Sequence, residues 1–97
     1  MLNLDVIQNQ TIDFTLNNKE IHMKIPSQAT LRSVEVVATM KDKKKQEEQL
    51  YSLYSNMMSN NLENEVFTVD YLKTLNPKTL IAWIEYVMEE IQTTKKK

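Results

Sequence analysis

Not one of the 97 residues is glycine. Glycine takes positive φ without steric cost, so a chain that lacks it must turn by other means. Asparagine tolerates that region best among the remaining residues, and the burden of positive φ in this chain falls on Asn. The same absence removes whole classes of chemistry. Phosphate-cradling loops, the dinucleotide fingerprint and the strained nucleophile elbow all need glycine where the backbone meets a ligand or bends sharply.

Asn17-Asn18 is the first place where this matters. Ile12, Phe14 and Leu16 precede it and Ile21, Met23 and Ile25 follow it, each set alternating with polar residues. That is the period of a strand. A two-residue hairpin across Asn17-Asn18 sets Leu16 opposite Lys19, Phe14 opposite Ile21 and Ile12 opposite Met23, with the apolar side chains on one face. Leu2, Leu4 and Val6 alternate as well, which would extend the hairpin to a three-stranded meander. Pro26 ends the ladder because it has no amide hydrogen to donate.

Beyond Pro26 the pattern turns helical. Ser27 is a natural N-cap, and Leu31, Val34, Val37 and Ala38 share one arc of a helix wheel. Lys41–Gln49 is wholly polar and fits either a solvated helical turn or a connecting loop. Leu50, Tyr51, Leu53, Tyr54, Met57 and Met58 recur with helical spacing, and Asn60-Asn61 reads as a stop. Thr68 can cap a short helix carrying Tyr71, Leu72 and Leu75. Asn76-Pro77 pairs a favoured N-cap with a favoured first helical residue, ahead of Leu80, Ile81, Trp83, Ile84, Val87, Met88 and Ile91. The expected class is α+β, mostly α. One domain spans 1–97: a hairpin region over 1–26, then three or four amphipathic helices over 27–97.

Little here suggests catalysis. There is no cysteine and only one histidine, so thiolate chemistry and a cysteine- or histidine-based metal site are excluded, and no cofactor is expected. His22 has no second histidine to work with. Glu85, Glu89 and Glu90 read as a solvated helix face. The lysines at 41 and 43–45 could meet phosphate, but Gln46-Glu47-Glu48 follows at once and no aromatic residue is interleaved to stack on bases. Twelve basic residues against thirteen acidic ones leave no cationic excess for nucleic acid. No apolar run is long enough to span a bilayer and no signal peptide is visible, so a soluble protein of the cytoplasm is expected.

The breadth of the apolar stripes is the feature that points outward. On a wheel, the last helix spreads from Trp83 through Val87, Leu80, Ile91, Ile84 and Met88 to Ile81. That is an arc of about 160°, wider than the ~100° that docks a helix on one core. The Leu50–Met58 stretch is similarly broad, and Val36 and Met40 face away from the main stripe of the first helix. Sandwiched helices would explain this. So would a partner surface, to which methionine adapts well. The residues assigned to such a surface are Trp83, Val87, Tyr54, Met57, Met58, Val36 and Met40.

The order of these elements is familiar. A hairpin of the form TIDFTLNNKEIHMKIP leads into SQATLRSVEV, a polar middle, and then FTVDYLKTLNPKTLIAWIEYVMEEI. This resembles the tail assembly chaperones of long, non-contractile-tailed phages (siphophages) of Gram-positive hosts. The resemblance covers most of the chain and rests on pattern and size, without a signature motif. It implies a non-enzymatic protein of the host cytoplasm that coats the tape measure protein, keeps that long helical chain soluble and helps recruit the tail tube protein. It also implies self-association, and a longer form made by frameshift near the end of the gene. Lys95-Lys96-Lys97 could be encoded by a slippery stretch, although cations suit a helix C-terminus in any case. Two other readings stay open: a helical adaptor or regulator of antitoxin-like or inhibitory type, and a nucleic-acid-associated factor using Lys41–Lys45.

Overall fold

The computed structural model describes the backbone of residues 1–95 and the side chains of residues 1–92. The elements run α1 (Leu4–Gln8), β1 (Thr11–Leu16), β2 (Lys19–Lys24), α2 (Gln28–Ala38), α3 (Lys43–Ser59), α4 (Val69–Lys73) and α5 (Pro77–Lys95). The architecture is α+β and mostly helical, with one two-stranded antiparallel sheet ahead of the long helices.

The hairpin has the register that its apolar face demands: Ile12 opposite Met23, Phe14 opposite Ile21, and Leu16 opposite Lys19. Asn17 and Asn18 make the turn at φ 55° and 62°, and the third positive φ, 58°, belongs to Asn64. Asparagine thus takes every left-handed position among the described residues, as a glycine-free chain requires. The ends of the first four helices avoid that conformation. The residues closing α2, α3 and α4, Thr39, Asn60 and Thr74, all have negative φ. At the end of α2 the Gln46 side chain steps in, donating to the carbonyls of Val37 and Ala38. These are carbonyls that a helix end leaves without an internal partner.

Helix starts follow their capping residues. Ser27 Oγ accepts from the Thr30 amide, Thr68 Oγ1 from Tyr71, and Asn76 Oδ1 from Lys78. The polar stretch after Lys41 is helical from Lys43 onward, because the Asp42 carboxylate caps it by accepting from the amides of Lys44 and Lys45. The N-terminal segment departs from the meander. Leu4–Gln8 is a short helix capped by Asn3, with none of its residues buried. The Asn3 side-chain oxygen accepts from the amides of Asp5 and Val6 and starts a helix, so the alternating Leu2, Leu4 and Val6 do not join the sheet.

Ile12, Ile21 and Met23 from the sheet pack with Val34 of α2, Met57 and Met58 of α3, Phe67, Leu72 of α4, and Leu80, Trp83, Val87 and Ile91 of α5. Trp83 binds the layers together. Its ring meets Phe14 of β1 and Tyr54 of α3 edge-on, at centroid distances of 6.1 and 5.5 Å. A loop after α3 seals the outer edge of β2. Lys24 donates to the Asn60 carbonyl, Leu62 donates to the His22 carbonyl, and Met23 and Asn61 form a bridge. Asn61 is buried and staples that loop: its Nδ2 donates to the carbonyls of Met58 and Glu65, while its Oδ1 accepts from the Glu65 amide.

Candidate functional site

Four residues assigned to a partner surface lie in the core, and the assignment is corrected for them. Trp83, Val87, Met57 and Met58 are all buried. Two neighbours, the sheet and α3, flank α5 at once, and this accounts for much of the breadth of its stripe. Tyr54 and Met40 are half-buried, and only Val36 is well exposed.

Burial along the α5 arc is graded. Trp83, Val87, Leu80 and Ile91 form the buried end, Ile84 and Met88 are half-buried, and Ile81 at the far end is 56% exposed. The outward-facing part of the stripe is therefore the Ile81 end, which the sequence reading included in the arc but left out of the surface. Beside it, Leu50, Tyr51 and Tyr54 of α3 stand at the same rim. Together with Leu80, Ile84 and Pro77 they line a hollow of about 340 Å³. Lys43, Gln46 and Glu47 form its polar border. Burial raises the pKa of the Tyr54 hydroxyl above 10.0, so it is a neutral phenol at physiological pH. A groove of this kind, apolar along its floor and polar at its edge, takes the apolar face of a helix. A second hollow, of about 510 Å³, lies beside α1, between Ile7, Lys24, Pro26, Ser27 and Asn56.

His22 has a structural partner. The Glu63 carboxylate accepts from the His22 amide at 2.8 Å and meets the ring Nδ1 at 2.6 Å, while Glu20 lies 3.4 Å from Nε2. The hydrogen bond to Glu63 raises the pKa of the ring above its ordinary 6.5. The His22 amide, then its ring, lower that of Glu63 below 4.5. The imidazolium therefore adds stability below pH 6.5 that is lost as pH rises through the raised pKa. The carboxylate adds stability above pH 4.5 that is lost as pH falls through the lowered one. Urea unfolding at a series of pH values should show this clasp at full strength between about pH 4.5 and 6.5, and His22→Ala should lower stability across that window and remove the decline above pH 6.5.

Glu85 and Glu89 are exposed on α5, and no group of three His, Asp or Glu able to hold a metal occurs among the described residues. The lysines at 41 and 43–45 are exposed around the start of α3. Lys95 ends α5, and Lys96 and Lys97 lie outside the described residues. No described helix is long and apolar enough to cross a membrane. Comparison with protein families, curated proteins and solved structures finds no significant match to this chain.

Proposed function

We propose that this chain is a non-catalytic binding protein whose α3–α5 groove receives the apolar face of a client helix, and that it serves as a phage tail assembly chaperone. The observation that carries the reading is the groove itself, where an exposed isoleucine and two tyrosines border a hollow the size of a few side chains. The resemblance supplies the client. The tape measure protein is long and helical, and its apolar stripes need cover until the tail tube protein polymerises around it in the host cytoplasm. Covering such a stripe gains about 25 cal/mol per Å² of apolar surface, less the cost of ordering both partners. Self-association of the chaperone is compatible with the same surface.

Ile81→Asp tests this. The side chain is largely exposed, so the variant should keep its circular dichroism and its unfolding midpoint. Co-expressed with the tape measure protein of its own phage, the wild-type chain should hold that client in the soluble fraction and Ile81→Asp should release it to the pellet. A folded Ile81→Asp variant that still solubilises the client would overturn the assignment of the groove.

A further inference from the structure

The two edges of the hairpin are treated differently. In an antiparallel pair, alternate residues turn their main-chain groups inward to the partner strand and outward from the sheet. His22 turns outward, since its amide and carbonyl both bond to the loop after α3. Its cross-strand partner Asp13 must therefore turn outward on β1, and Thr11 and Thr15 with it. On that side the coverage is one side chain. The Tyr86 hydroxyl of α5 donates to the Asp13 carbonyl at 2.7 Å. Among the described residues no other group pairs with the outward amides of Asp13 and Thr15. Beside this edge, Phe14, Thr15, Leu16, Ala82, Trp83 and Tyr86 line an open hollow of about 230 Å³.

We propose that the β1 edge is a docking site for an extended segment of a partner protein in which apolar residues alternate with lysine or arginine. A strand added there would place alternate side chains on opposite faces. One set enters the hollow against Phe14 and Trp83. The other stands beside Asp13 on the outer face, where a cation is the favourable cross-strand neighbour of a carboxylate. Burial first, and then the charges of Glu90 and Asp13, disfavour ionisation of the Tyr86 hydroxyl, and the Asp13 carboxylate is the negative charge on the edge strand itself. The same charge turns away a second copy of the chain: antiparallel pairing centred on Asp13 would set carboxylate against carboxylate. The incoming amide takes the place of the Tyr86 hydroxyl on the Asp13 carbonyl, so Tyr86 holds the edge in reserve. None of the residues lining the helix groove takes part, and the proposal stands whether or not that groove holds a client.

The test is titration of the full chain with a blocked peptide of alternating lysine and valine, and with its glutamate–valine counterpart. The readouts are the emission of Trp83, the sole tryptophan, and hydrogen exchange of the Asp13 and Thr15 amides. The lysine peptide should bind saturably and slow exchange at both amides, and the glutamate peptide should not. Thr15→Pro removes an outward amide without touching the ladder, and should weaken binding roughly tenfold or more while the circular dichroism stays unchanged. Tyr86→Phe clears the Asp13 carbonyl and should tighten binding. The proposal is overturned if neither peptide binds, if both bind alike, if the amides are not protected, or if folded Thr15→Pro binds as well as wild type. Dimerisation of the free chain with protection of β1 would overturn it in favour of self-pairing. Should Thr15→Pro fail to fold, the exchange readout on the wild-type chain and the response to Tyr86→Phe decide.

Discussion

Trp83→Ala should cost about 3–5 kcal/mol of folding stability, a large share of the ~5–15 kcal/mol that holds a small domain together. Trp83 is 93% buried and joins the sheet to two helices, so its removal opens a cavity at the meeting point of three elements. Urea unfolding would show a lowered midpoint, and a cost under about 1 kcal/mol would place the side chain outside the core. Trp83→Phe should be much milder. It retains an aromatic ring between Phe14 and Tyr54 and deletes Nε1, a buried donor without an acceptor among the described residues. Trp83→Asp should unfold the chain. Loss of client binding in that variant would report unfolding, and for this reason Ile81 is the informative position for the groove.

The second large effect is expected at Asn61. Asn61→Ala leaves the Met58 and Glu65 carbonyls and the Glu65 amide without their side-chain partner in a part-buried setting, at an expected cost of about 2–3 kcal/mol. Asn61→Asp should be no better, since a carboxylate accepts from Glu65 but cannot donate to the two carbonyls. The distinguishing measurement is native-state hydrogen exchange. Loosening of the loop should speed exchange at the His22 and Leu62 amides, which bond across the β2 edge, before it affects the centre of α5. Uniform acceleration across the chain would show that Asn61 acts on the whole core instead.

The hairpin was legible because period two, a two-residue Asn turn and a one-sided apolar face all select one register. The caps at Ser27, Thr68 and Asn76 were legible because their side chains act within a few residues. Most of what escaped depended on distant neighbours. The alternation of Leu2, Leu4 and Val6 matches a strand, yet nothing local says whether a sheet edge is open to it, and the Asn3 cap supports a helix. Asp42 was a readable cap, overlooked among the charges around it. Stripe breadth on α5 was a sound signal that more than one neighbour was involved. It could not say which end of the arc faced the sheet, and so it sent Trp83 and Val87 to the surface and passed over Ile81. Nothing near His22 in the sequence hints at Glu63.

That last pairing bears on how the chain is made. The amide and ring of His22 wait for a carboxylate 41 residues downstream. At ~5–20 residues per second, a ribosome needs roughly 2–8 seconds to supply it. Through that interval the nascent hairpin stands with β2 unsheltered, and an isolated two-stranded hairpin is marginal in water. The hairpin, one of the first structures to leave the ribosome, is therefore not secured until residue 63 has followed, and the newborn chain is most vulnerable to mispairing before then.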